Sequence, residues 1–373
     1  MEPYRIIDAD AHMSEPFDLW TTRIDGKFRD RAPRLVNDYN GKKGSFFVFE
    51  DFVTRFASQQ EGASRDMERP GGWDPAERLK DMESEGVDAS ILYTTYGFTL
   101  FACQDPELQE ACLRVYNDWL AEFCRHAPER LGGIAMISLY DVDRGRRELE
   151  RAKKQDLKGV MIWATPPESR PAYHSSIYDP FWAAVQETEM PISLHLNTGG
   201  RKSSAYTLTE EQHIGQVYTK MVMAQHEVQE SILSLIFGGV LERFPALKIV
   251  SAEGDIAWIP HLLARADKYY ASRTRRGHNL SLAMTPGEYF RRQVWATFIK
   301  DPLGLQTYKY ADCADRIMWS TDYPHPASFF PHSQDVLRQD FVGVPPEDKD
   351  KIVYRNCAKL YGFQLRQPSS ARN

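Results

Sequence analysis

At 373 residues with 42% apolar side chains, the chain can bury one sizeable core, and single α/β barrels commonly run past about 250 residues. A net charge of −6 gives no reason to expect nucleic acid or an anionic membrane surface as a partner. No apolar run approaches the roughly 18 residues that a membrane-crossing helix needs, no signal peptide opens the chain, and five scattered cysteines without CxxC spacing read as reduced thiols, so a soluble, cytoplasmic protein is expected.

In chain order, Tyr4 to Ile7 is a short apolar run that reads as a buried strand, ending in Asp8-Ala9-Asp10-Ala11-His12. Asp10 and His12 are two apart, so on a strand both side chains leave on the same side. A carboxylate and an imidazole facing one way suit a borderline or hard divalent cation. The plainer reading is that Asp8 and Asp10 cap a turn and His12 packs in the core. The next stretch, 21–72, is irregular and rich in Arg and Gly, with 44–50 as one strand of a small hairpin. It is too long for an ordinary connection and suggests a functional loop or an oligomer contact.

From Asp74 the pattern turns regular. Asp74-Pro75 starts a helix as cap and first residue, and Gly86 stops it. Strands are expected at 87–93, 132–137, 157–163, 191–196, 247–253, 293–298 and 317–322. Between them lie helices at 106–126, 143–154, from Asp179-Pro180, near 226–241, and at 256–270. The run Leu157 to Trp163 is apolar almost throughout, as a parallel strand covered on both faces must be. About eight strand–helix units argue for a (β/α)8 TIM-like barrel in one domain over 1–373, with 21–72 inserted after the first strand. A doubly wound sheet is the alternative fold.

Barrel active sites gather at the C-terminal ends of the strands. Four of the expected strands end in ionisable residues: Asp10 with His12, His195, Glu253, and Asp322. A barrel whose strand ends carried these groups only for solubility or capping would rarely show so many, because buried ionisable groups need partners.

Three segments carry a family resemblance. They are Asp8-Ala-Asp-Ala-His-Met-Ser-Glu-Pro16, Phe237-Gly-Gly-Val-Leu-Glu-Arg-Phe-Pro-Ala-Leu-Lys-Ile-Val250 and Trp319-Ser-Thr-Asp-Tyr-Pro-His325. They resemble the amidohydrolase superfamily, in the branch that includes aminocarboxymuconate-semialdehyde decarboxylase and γ-resorcylate decarboxylase, over nearly the whole chain apart from 21–72. The resemblance implies that Asp10 and His12 stand at the His-x-His or Glu-x-His pair and that His195 is the strand-five ligand. It makes Asp322 the strand-eight carboxylate that binds metal or handles protons. Two departures stand out. Asp10 replaces His or Glu, and Glu253-Gly254 stands where the decarboxylases share His-Gly, so Glu253 either takes over proton transfer or joins a metal site.

The expected centre therefore holds a divalent ion, Zn or Mn, on Asp10, His12, His195 and Asp322, with Glu253 and His226 as further candidate ligands. Asp322, Glu253 and His325 are the candidate proton-transfer groups. His226 also fits the plainer reading of a surface or interface histidine on a helix, and His325 that of a loop-fixing residue. Glu15 is expected to cap the site mouth. Trp163, Phe298 and Tyr323 are read as pocket lining or core, Arg201 and Lys202 as a weak candidate for a substrate carboxylate, and Arg273 to Arg276 as a solvated helix end. The main functional reading is hydrolysis or non-oxidative decarboxylation of a small organic acid or amide. A dinuclear Fe or Mn oxygenase on the same fold is the alternative, and a non-catalytic partner subunit the third. A homodimer, or a hetero-oligomer with a related subunit, is expected.

Overall fold

Every apolar run read as a barrel strand becomes one. The computed structural model describes residues 4–55, 69–200, 214–277, 280 and 282–364. Its strands are β1 (Ile6–His12), β2 (Arg34–Tyr39), β3 (Lys42–Phe49), β4 (Phe52–Arg55), β5 (Val87–Tyr93), β6 (Leu131–Met136), β7 (Gly159–Ile162), β8 (Ile192–His195), β9 (Ile249–Ala252), β10 (Val294–Phe298) and β11 (Ile317–Trp319). β1 and β5 to β11 lie side by side in that order, with every neighbouring pair parallel. The last strand returns to the first. The Asp322 N–H donates to the Asp10 carbonyl at 3.0 Å and the His12 N–H to the Tyr323 carbonyl at 2.6 Å, giving the (β/α)8 barrel.

Local chemistry explains where the helices begin. Asp74, Asp105 and Asp301 each precede a proline and each accept main-chain N–H groups of the first turn. The side chain thereby satisfies orphan donors, and the proline supplies a helical φ at no hydrogen-bond cost. Asp179-Pro180 differs. Its helix runs Asp179–Thr188 and already includes Asp179, whose carboxylate pairs with Arg243 at 2.8 Å. The helix expected near 226–241 divides at Gly238-Gly239 into Gln225–Phe237 and Val240–Arg243, because Gly239 turns left-handed with φ 71°.

The described residues of the inserted segment hold more regular structure than their composition suggests. β2, β3 and β4 form a three-stranded antiparallel sheet rather than a lone hairpin strand in an irregular stretch. Asn40 and Gly41 make the β2–β3 turn with φ 49° and 80°, and Asn-Gly is the strongest short hairpin signal. Phe47, 1% exposed, packs on Trp20 and on Tyr96, with ring centroids 6.1 and 5.5 Å apart. The small sheet therefore braces the loop that follows β5. Trp163 and Phe298 are core residues, at most 1% exposed, and Tyr323 is buried with its hydroxyl donating to Asp81. Arg273 to Arg276 lie exposed at a helix end, while Arg201 and Lys202 fall outside the described residues. All five cysteines are buried and unpaired, and no described helix is long and apolar enough to cross a membrane.

Candidate metal centre

The site is assembled at the strand ends. Asp8, Asp10 and His12 alternate along β1 and are all buried. Asp8 does not point at solvent or cap a free turn. It accepts the Thr321 N–H at 3.0 Å, the Thr321 hydroxyl and the Asp10 N–H at 3.2 Å, so it ties β1 to the end of β11. His12 directs Nδ1 at the Thr94 carbonyl at 2.7 Å. The carbonyl only accepts, so Nδ1 carries the proton and Nε2 presents a lone pair to the barrel axis. His195, ending β8, does the same with Nδ1 at 3.0 Å from the Leu196 carbonyl.

Three atoms converge, and a fourth adjoins them through His12. Asp10 Oδ1 lies 3.5 Å from both His12 Nε2 and His195 Nε2, and His12 Nε2 lies 3.1 Å from Asp322 Oδ1. All four atoms are buried, and none meets hydrogen-bond geometry. Acceptors of this kind, desolvated and facing one another, are left costly unless a proton or a cation sits among them. The Asp10 oxygen and the two imidazole nitrogens form a donor set that suits Mn, Fe or Zn, with the Asp322 carboxylate beside it at His12. Among the described residues two groups have metal-binding proximity, Asp10/His12/His195 and His12/Asp322/His325.

The remaining predicted residues fall into distinct places. His325 stacks on His12 at 3.9 Å between centroids, with Nδ1 2.9 Å from Asp322 Oδ1 and Nε2 2.9 Å from the Thr95 hydroxyl. Glu253 joins neither group. Its carboxylate lies 3.6 Å from His195 Nδ1, the ring nitrogen turned away from the convergent atoms. His226 is exposed, with Nδ1 3.2 Å from the Met223 carbonyl, and the structure does not bring it to the centre. Glu253 and Asp322 both take left-handed backbone, with φ 55° and 57°, a conformation non-glycine residues hold mainly where surrounding contacts impose it.

The charges in the pocket are driven apart. Burial works against charge on Asp322, but His325 and His12 overcome it and hold the carboxyl well below its usual range. Burial, reinforced by the Asp322 charge, pushes Glu253 up to about 8. Burial lowers His12, helped by His325. His195 suffers the same desolvation, yet Asp10 and Glu253 raise it to about 9, so a cation at Nε2 competes there with a proton.

Glu15, expected to cap the site mouth, takes part in holding the site, and two further participants, Phe98 and Thr297, carry no signal that sequence reading caught. Glu15 is 2% exposed and accepts the Thr94 hydroxyl and the N–H groups of Thr95 and Tyr96, so it organises the loop that holds both His12 and His325. Phe98 lays its ring 4.6 Å from that of His195. Thr297, on β10, bonds Asp10 and Glu253. Asn or Gly would have drawn attention to these positions. Thr in a strand and Phe in an apolar run do not.

The family model described as Amidohydrolase matches residues 7–363. The γ-resorcylate decarboxylase of Polaromonas sp. strain JS666 is 27% identical over 314 residues, covering 76% of this chain and 86% of that protein. Among solved structures, an amidohydrolase from Mycobacterium avium subsp. paratuberculosis K-10 superposes with a TM-score of 0.77 at 22% identity, covering 97% of this chain and 100% of that one. A dihydroxybenzoic acid decarboxylase from Polaromonas sp. JS666, with bound manganese and 2-nitroresorcinol, gives 0.65 at 20% identity, covering 97% and 98%.

Proposed function

The chain belongs to the amidohydrolase family, and on that premise we propose that it is a divalent-metal-dependent enzyme that decarboxylates a small organic acid, with an aromatic acid as the preferred class. The observation that carries the reading is the convergence of the buried, unpartnered Asp10 Oδ1, His12 Nε2 and His195 Nε2 beside Asp322, and the directions of two carboxyls support it. Asp322 is held ionised beside His12 and His325, whereas Glu253 keeps its proton to about 8. Carboxyls pushed apart in this way divide acid and base roles.

Asp10, His12, His195 and Asp322 would hold the ion, manganese ahead of zinc given the manganese in the neighbouring structure. A bound ion supplies Lewis-acid charge that polarises a substrate oxygen. Glu253 holds the proton destined for the carbon that loses carbon dioxide, replacing the histidine of the resembling decarboxylases. His325, fixed between Thr95 and Asp322, orients the ionised carboxylate. Phe98 gives the site an apolar wall that excludes water beside His195.

The test offers the manganese- or zinc-loaded chain a panel of hydroxybenzoates in D2O. The expected result is carbon dioxide release, with deuterium at the vacated carbon, and E253Q that retains metal but loses about 10²- to 10⁴-fold in rate. Ester or amide hydrolysis without carbon dioxide would replace decarboxylation with the family's other chemistry. A wild-type chain that takes up no metal would remove both.

A dinuclear Fe or Mn oxygenase is the second reading: Asp322 and His325 lie beside the Asp10/His12/His195 group, and two ions per chain, with iron and oxygen uptake on turnover, would establish it, with the single His12 Nε2 lone pair serving only one of the two. Self-association is proposed alongside the enzymatic reading, resting on the exposed Tyr218, Met221, Val222 and Met223 of the Ile214–Met223 helix. A reducing, cytoplasmic setting is proposed from the five unpaired thiols.

A further inference from the structure

Thr297 is 0% exposed near the C-terminal end of β10, a strand that contributes no candidate ligand. Its hydroxyl lies 2.9 Å from Asp10 Oδ2 and 2.8 Å from the Glu253 main-chain nitrogen. The directions of these bonds are forced. The Glu253 N–H can only donate, so the hydroxyl oxygen accepts from it, and the single hydroxyl proton goes to Asp10 Oδ2. Asp10 is thus addressed as an acceptor, with Oδ2 occupied. Its other oxygen, Oδ1, is the unpartnered atom 3.5 Å from both imidazole nitrogens.

We infer that Thr297 is a positioning residue that makes Asp10 a one-oxygen metal ligand and locks that ligand to the main chain of Glu253. The inference rests on the metal-dependent reading above. Aspartate is short, and without a partner on Oδ2 its carboxylate can rotate and present either oxygen or both. The hydroxyl removes that freedom. The same hydroxyl holds the Glu253 N–H while that residue's backbone is left-handed, so one side chain fixes the ligand and the proximity of the proposed acid. Groups that hydrogen-bond a metal ligand from behind commonly change metal affinity by roughly 10- to 100-fold when removed.

The test is a titration of the metal-free full chain with Mn2+ alone, followed by the loss of the free-ion electron paramagnetic resonance signal, for wild type, T297S and T297V. Valine keeps the shape and deletes the hydroxyl, whereas serine keeps the hydroxyl. T297V is expected to bind Mn2+ roughly 10- to 100-fold more weakly and to show an altered bound-ion spectrum, while T297S stays within about threefold of wild type. Circular dichroism confirms that each variant is folded, and T297A replaces T297V if valine is not accepted. Wild-type affinity and spectrum in a folded T297V or T297A would overturn the inference and leave the metal reading intact. So would a T297S as weak as T297V, because the hydroxyl would not then be the cause. A wild-type chain that binds no Mn2+ would overturn the inference together with the reading beneath it.

Discussion

Replacing Glu15 by alanine removes the acceptor that organises the loop after β5. Three donors lose their partner: the Thr94 hydroxyl, the Thr95 N–H at 3.2 Å and the Tyr96 N–H at 2.9 Å. Each unsatisfied buried donor costs about 1–3 kcal/mol. Thr94 is fully buried, while Thr95 and Tyr96 are half-buried and can recover some hydration, so the lower end applies to those two and the sum is about 3–5 kcal/mol. That is a large fraction of the roughly 5–15 kcal/mol that keeps a domain folded. Urea unfolding of E15A at neutral pH should show the loss as a lowered midpoint at unchanged slope. Titration adds a second signature. Burial holds the Glu15 proton above the ordinary carboxyl value of 4.5, so the folded chain binds more proton than the unfolded one as pH rises past that value. The contribution of Glu15 is complete at lower pH and declines as pH climbs through the folded value. E15Q cannot titrate and should lack this decline. The loop also carries the Thr94 carbonyl that holds His12 and the Thr95 hydroxyl that meets His325, so E15A should weaken Mn2+ retention as well. An E15A midpoint within about 0.5 kcal/mol of wild type would refute the argument, since even one orphaned donor costs more.

Asp10→Ala and His195→Ala should each bring metal per chain close to zero by elemental analysis, and a variant retaining wild-type metal would remove that residue from the ligand set. If Glu253 acts as the acid, turnover should fall tenfold per pH unit above about 8, and a flat profile to pH 10 would assign the proton elsewhere. Phe47→Ala should cost about 3–5 kcal/mol, because Phe47 is 1% exposed between Trp20 and Tyr96. A loss under about 1 kcal/mol in urea unfolding would show that the small sheet does not brace the loop. The buried thiols should react with a disulfide reagent far more slowly in the native chain than in urea, since burial pushes Cys103 up to about 11 and Cys124 to about 12. A thiol labelled rapidly in the native state would contradict that.

Much of the architecture is local and was legible in the chain. Apolar runs ending in Asp10-Ala-His12, His195 and Asp322 mark strands whose ends carry ligand chemistry, because a parallel strand needs continuous apolar cover until it leaves the barrel. Asp-Pro at 74 and 105 starts helices for reasons of capping and φ that depend on neighbouring residues alone. The small sheet was also locally encoded, in Asn40-Gly41, but the mixed pattern of Arg34 to Tyr39 hid its strand.

What depends on closure of the barrel was not legible. Glu253 stands at a strand end like the ligands, yet in the closed barrel its carboxylate meets the outer nitrogen of His195 rather than the shared point. His226 looks like a ligand in a list of histidines and lies exposed on a helix. Thr297, in Val-Trp-Ala-Thr-Phe, is an ordinary β-branched strand residue until β10 is set beside β9 and across from β1. Sequence determines period, caps and chemical inventory through contacts a few residues apart. Which atom of Asp10 faces the imidazoles, and which is held by a hydroxyl 287 residues away, is decided only when the distant strand ends meet and each buried polar atom must find a partner.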